Sequence, residues 1–468
     1  MSDQKINPSY RAGFIGVAFA LFVTLFIQVP TASAIPSYAR QTGFPCKSCH
    51  YMPPELTPLG RAFKLNGYTM SGKPTVTSPG KGNTSGLNIL ESFPLSVLFD
   101  TAFTSLKSPQ PVSNGVGGTV SSQNGSFQFP EDASLFLAGA WATHVGSFVQ
   151  VTYSTQNDHF TWDNSDIRYA NATKLFSKDL AFGITLNNNP GVEDLWNSSP
   201  AWGYPWVNSD WAPTPNAGAI VNGGLAQDVA GVGGYAMWDN HLYLDVTAYR
   251  SAHLGASLPN TGIGQSINIR GVAPYWRAAW QQNSGNNNFM VGTYGIYVKT
   301  TPQAITGLED VYTDWAVDFQ YDRTIPQFHG DVLSLRGTYI RENSTLDASS
   351  AVSVGAATPG THHLNTVQAN AEYHLGDKYA GTIGFFNVTG TSDPLLYPGG
   401  TPVFGNLNGD PHSGGYIANV SWWPVQNIGL TLQYVGYTRF NGGGANYDGS
   451  GRSAGSNNTL YLLARFVF

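Results

Sequence analysis

Cysteine is almost missing from this chain: there are two in 468 residues, so no disulfide framework braces it. Charge is scarce as well. Only 11% of the residues are charged, and Lys+Arg at 23 fall short of Asp+Glu at 29, which excludes the basic face of a nucleic-acid binder. A 41% hydrophobic fraction with 13% aromatics excludes an intrinsically disordered chain. Past residue 34 no apolar run is long enough for a membrane-spanning helix, which excludes a polytopic helical membrane protein. Nor is there a Ser/His/Asp set or a phosphate loop to suggest ordinary acid-base chemistry.

What is present begins with an address. Lys5 and Arg11 precede a greasy run from Phe14 to Val29, and Pro30-Thr31-Ala32-Ser33-Ala34 closes it in the small-x-small pattern of a signal peptide. Residues 1–34 are therefore read as a signal peptide cleaved after Ala34, leaving Ile35 at the mature terminus. Loss of Asp3, Lys5 and Arg11 takes the formal charge from -6 to -7.

Both cysteines stand together, as Cys46-Lys47-Ser48-Cys49-His50, the C-x-x-C-H pattern of covalent haem c attachment. Two thiols add to the haem vinyl groups, and the next residue offers its imidazole to the iron, so one short turn supplies three bonds. A zinc site would need a second ligand pair that is missing. For the distal ligand, Met52 is too near His50 along the chain to reach the opposite face. Met70 follows an expected helix with Thr57 as N-cap, Pro58 at its first position and Gly67 as its stop, and is the expected ligand; a histidine from a barrel interior is the competitor.

The cytochrome segment, residues 35–81, is too short to wrap a haem unaided. It holds Arg40, Lys47, Arg61, Lys64, Lys73 and Lys81 against Glu55 alone, a charge of +5, which leaves -12 for residues 82–468. A basic plug inside an acidic shell follows, with Arg40 and Arg61 as candidate partners of the haem propionates.

Residues 82–468 read as that shell, an outer-membrane β-barrel. Trp315, Val317, Phe319 and Tyr321 alternate with Asp314, Ala316, Asp318 and Gln320; Leu242, Leu244, Val246 and Ala248 alternate with Tyr243, Asp245, Thr247 and Tyr249. Sixteen such segments centre near residues 99, 138, 150, 168, 183, 231, 245, 277, 293, 316, 335, 369, 383, 418, 433 and 464. Short links alternate with long Gly- and Asn-rich ones, as periplasmic turns alternate with extracellular loops. One short link, at 157–159, breaks that alternation and puts its hairpin in question. The last strand ends on Phe468 and resembles the signal read by barrel-assembly machinery. The expected fold is all-β: a 16-stranded antiparallel outer-membrane barrel with a small N-terminal α-helical c-type haem plug.

Pro36-Ser37-Tyr38-Ala39-Arg40-Gln41-Thr42-Gly43, the Cys46 to His50 motif, Pro54-Glu55-Leu56-Thr57-Pro58 and Gly60-Arg61-Ala62-Phe63-Lys64-Leu65-Asn66-Gly67-Tyr68 together resemble the N-terminal signature of fused monohaem cytochrome c porins, outer-membrane iron oxidases of iron(II)-oxidising bacteria. Asn446-Tyr447-Asp448-Gly449-Ser450-Gly451-Arg452 is similar to a loop of such barrels. The resemblance implies one covalent haem c, extracellular Fe(II) as donor, a periplasmic cytochrome or other carrier as acceptor, and outer-membrane lipid around the barrel. Other readings are a conduit for a different donor or acceptor, and a diffusion porin with structural haem. Residues that could hold iron briefly at the outer face are Asp158, His159, Glu193, Asp194, His253, His362, His363 and His412.

Overall fold

Successive side chains of a β-strand point to opposite faces, so each alternating segment becomes a two-faced strand that needs apolar surroundings on one side. The computed structural model describes residues 36–76, 93–113, 119–156, 158–203, 209–251, 268–301, 307–328, 330–351 and 354–468. The signal-peptide cleavage site, the boundary at residues 81 and 82, and His253 lie outside the described residues.

Three short helices come first: α1 (Pro36–Thr42), α2 (Cys46–Cys49) and α3 (Pro58–Leu65). The barrel strands are β1 (Leu95–Leu106), β2 (Asp132–Ala142), β3 (Val145–Ser154), β4 (His159–Leu175), β5 (Lys178–Asn187), β6 (Val229–Trp238), β7 (Leu242–Ser251) and β8 (Ala273–Ser284). They continue with β9 (Asn287–Thr300), β10 (Asp310–Ile325), β11 (Asp331–Leu346), β12 (Thr361–Leu375), β13 (Tyr379–Gly390), β14 (Ser413–Val425), β15 (Ile428–Arg439) and β16 (Thr459–Val467). Each pairs antiparallel with its neighbours in sequence, and β1 closes the ring on β16 in the register Leu98↔Val467 to Leu106↔Thr459. All sixteen expected segments are strands of this closed barrel. The doubted hairpin exists: β3 and β4 pair from Ser154↔His159 onward, so that one connection at the long-loop end is short.

Polarity is inverted relative to a water-soluble protein. Outward positions carry Trp315, Val317 and Phe319 on β10, and Leu244 and Val246 on β7, with Val246 63% exposed. Inward positions carry Asp314, Asp318 and Asp322 on β10, Asp245 on β7, Arg277 on β8 and Arg336 on β11, all buried. An apolar exterior around a polar, charged interior is the pattern of an outer-membrane-type barrel. Tight turns such as Phe176 and Ser177, both at positive φ, join strands at one end, and long links lie at the other.

Other parts of the chain enter the lumen. The described stretches of the longest link, 188–203 and 209–228, fold inward: Ile220 N donates to Glu342 Oε2 at 2.6 Å and Val221 N to Asp314 Oδ2 at 2.9 Å. Arg277 on β8 pairs with Asp194 of that link at 3.2 Å and with Asp318 at 2.7 Å. Glu193 and Asp194, expected at an outer loop surface, are thus fully buried in the lumen, where Arg277 pairs with Asp194 and Arg168 donates to the Glu193 carbonyl at 2.8 Å.

Candidate haem-binding site

The three helices sit at the short-turn end of the lumen. Cys46 N donates to Gln426 Oε1 in the β14–β15 turn at 2.8 Å, and Lys47 pairs with Asp377 in the β12–β13 turn at 2.6 Å. On α1, Tyr38 OH donates to Ser147 O of β3 at 2.6 Å, and Gln41 Oε1 accepts from Ala140 N of β2 at 2.9 Å. Thr57 caps α3 as the sequence predicts, accepting from Gly60 N at 3.2 Å with Pro58 at the first position. Gly67, at φ +67, stops the helix in a conformation that glycine adopts without strain.

α2 is one turn, and two contacts from Thr57 brace it: its N–H to Cys49 O at 2.9 Å and its hydroxyl to Ser48 O at 2.6 Å. His50 N closes the turn onto Cys46 O at 2.8 Å. Its Nδ1 faces the Glu55 carbonyl at 3.1 Å, and because a carbonyl only accepts, Nδ1 carries the proton and Nε2 keeps its lone pair. Burial pushes the His50 imidazolium down to about 4, so the ring is neutral at neutral pH, as a metal ligand must be. Burial also pushes the Cys46 thiol up to about 11. Helix α3 lies so close to α2 that a Cβ on Gly60 would stand 2.1 Å from Cys49 O. Gly60→Ala is therefore expected to push α2 and α3 apart and, with haem held as proposed below, to lower the haem bound per chain, measured as haem against protein in the purified barrel.

Cys46, Cys49 and His50 open onto a cavity of about 620 Å³, within the range of cofactor sites. Its walls come from α1 to α3, from Phe136 and Phe148 on β2 and β3, from Trp202 of the inward link, and from Trp423, Leu463 and Arg465 on β14 and β16. Two thiols and an imidazole on one side of a cavity lined by aromatic groups fit the donor set of haem c. Lys64, also on the cavity wall, is held by Val192 O, Asp194 O and Asn197 Oδ1 at 2.7, 2.6 and 2.9 Å, and so ties the plug to the inward link.

The other expected site residues are placed differently. Met52 is buried and lines the cavity; Met70 is half-buried and does not, because after Tyr68, which still lines it, the chain turns away, with Thr69 Oγ1 donating back to Asn66 O at 2.7 Å. No second histidine lines the cavity among the described residues. The geometry predicts that Met52→Ala alters the haem absorption spectrum and that Met70→Ala leaves it unchanged; spectra of the two purified variants check this. Arg40 is exposed and donates to the carbonyls of Leu95 and Phe93, and Arg61 is buried, donating to Leu56 O at 3.1 Å and pairing with Asp322 at 3.3 Å. Neither lines the cavity, whereas Arg465, paired with Asp100 at 2.7 Å, does. Arg465 was legible only as an inward position of the last strand, opposite in parity to Leu462 and Ala464.

Outer-face candidates are engaged locally. His362 pairs with Asp393 at 2.9 Å, His363 Nδ1 meets Thr391 Oγ1 at 2.8 Å, His412 Nε2 meets Asn387 Oδ1 at 3.1 Å, and Asp158 accepts from Tyr153 OH at 2.7 Å. His159 is half-buried at the start of β4.

No family model matches the chain, and no curated protein does. Among solved structures it is similar to the outer membrane channel DcaP of Acinetobacter baumannii, at 14% identity over 84% of this chain and 100% of that one, with a TM-score of 0.47. It is also similar to OprB of Pseudomonas putida, at 13% identity over 80% and 94% and a TM-score of 0.46. A third similar structure is an anion-selective porin from Comamonas acidovorans, at 12% identity over 80% and 98% and a TM-score of 0.43. The chain is a closed outer-membrane-type β-barrel of sixteen antiparallel strands.

Proposed function

We propose that this protein is an outer-membrane cytochrome-porin of the fused monohaem type that oxidises extracellular Fe(II) and hands the electron to a periplasmic carrier. One observation carries the reading: a C-x-x-C-H turn opens onto a haem-sized cavity at the short-turn, periplasmic end of a closed barrel. Haem c held there supplies the one-electron chemistry between the iron and the carrier. The chain's own residues do the rest. Cys46 and Cys49 fix the group, His50 presents Nε2, and the walls of plug and barrel surround it. Acidic lumen groups raise the local cation concentration on the outer side, and the plug keeps ferric product outside. The resemblance of residues 36–68 to fused cytochrome porins supports iron as the donor.

The test is stopped-flow absorbance of the oxidised, anaerobic protein after Fe(II) is added. Rapid growth of the reduced-haem band is expected. Reduction by dithionite but not by Fe(II) would transfer the reading to a conduit for another donor or acceptor. A diffusion porin with structural haem is the second reading, and ion conductance through the intact barrel would favour it.

A further inference from the structure

Glu55 ties the plug to the barrel in a second way. Its carbonyl receives His50 Nδ1–H, while its carboxylate reaches the barrel wall at Arg336 on β11 and His374 on β12. His374 Nε2 stands 3.0 Å from Glu55 Oε2 and 2.8 Å from Glu372 Oε1, and all three side chains are buried. The oxygens pointing away from the meeting point are both held from outside: Arg336 takes Glu55 Oε1, and Thr382 Oγ1 donates to Glu372 Oε2 at 2.5 Å. One nitrogen therefore faces two carboxylate oxygens whose partner oxygens are already fixed.

A neutral imidazole Nε2–H donates well to one acceptor, not to two. Two ligand atoms at right angles on an ion, each bonded at about 2.1 Å, stand about 3.0 Å apart, close to the two separations seen here. Arg336 and Thr382 then act as the orienting groups that metal-ligating carboxylates ordinarily have. Glu372 lines the cavity, so an ion can arrive from it.

We infer that Glu55, Glu372 and His374 form a binding site for a divalent first-row transition metal. Mixed imidazole and carboxylate donors favour such a metal over magnesium or calcium, which prefer oxygen alone. The site rests on the ligand geometry and opens to the short-turn end of the barrel, so its ion is distinct from the extracellular donor of the function proposed above, and Fe(II) serves as its probe.

The test uses the full-length, haem-loaded protein in detergent, anaerobic, with its haem reduced beforehand and the reductant removed, dialysed to equilibrium against Fe(II), with non-haem iron counted. One Fe(II) per chain is expected. His374→Gln and Glu372→Gln should each weaken binding at least about tenfold, and Thr382→Val by up to about tenfold, while Asp179→Asn, exposed beside the β4–β5 turn, changes nothing. Thr382→Val removes one hydroxyl from a barrel strand and so keeps the result readable where a charged variant fails to assemble. Absence of stoichiometric Fe(II) in the parent protein, or equal affinity in all four variants, overturns the site. Because the haem is already reduced, binding is read without electron transfer. A protein that binds Fe(II) here yet shows no haem reduction in stopped flow keeps the site and loses the iron-oxidase reading, and the converse result does the opposite.

Discussion

Replacing Cys46 and Cys49 together by alanine is expected to give an assembled barrel that carries no covalent haem and shows no Fe(II)-dependent absorbance change. The magnitude is total, because the two thioether bonds are the only covalent links the chain can offer: it has no other cysteine. The barrel survives because its closure rests on sixteen antiparallel pairings that do not involve the plug, including the β1–β16 seam. Denaturing gels stained for haem, beside heat-modifiable migration of the barrel, separate the two effects. Haem still covalently bound in the double variant would contradict the assignment.

Deleting residues 36–73 is expected to raise the single-channel conductance of the barrel in planar bilayers on the order of tenfold, since empty barrels of 16–18 strands enclose an aqueous channel. The intact chain should conduct poorly. Its plug is anchored on several sides: by Tyr38 on β3, by Arg61 on Asp322 of β10, by Tyr68 OH on Asp166 of β4 at 2.7 Å, and by Lys64 on the inward link. Deletion also frees the 188–203 stretch from Lys64, loosening the second obstruction. Equal, porin-like conductance before and after deletion would favour a diffusion porin with structural haem.

The barrel was legible because its signal is local. Period-two alternation with apolar residues outward, as in 242–249 and 314–321, depends only on neighbours in sequence, and so does the C-x-x-C-H turn with its Thr57 cap. What escaped was nonlocal. Link 188–228 looks like an outer loop from its composition, and contacts distant in sequence, such as Arg277 with Asp194 and Arg168 with the Glu193 carbonyl, show why its described parts fold inward. Arg61 has the composition of a propionate partner, but its ion-pair partner Asp322 lies 261 positions away. Met70 lies at a reasonable chain distance for ligation, yet the turn after Tyr68 carries it off the cavity. The meeting of Glu55 with Glu372 and His374 joins plug to barrel across more than half the chain, and no spacing rule announces it.

The central claim, that electrons cross and ions do not, is tested most directly in proteoliposomes that hold the protein in their membrane and an oxidised soluble cytochrome inside, with Fe(II) added outside under argon. The account predicts that the enclosed cytochrome is reduced while iron stays outside, and that in vesicles bearing the Cys46→Ala, Cys49→Ala double variant the enclosed cytochrome stays oxidised and iron still stays outside. Iron entering with the electrons, or an enclosed cytochrome that stays oxidised while external dithionite reduces the membrane-bound haem, would contradict it.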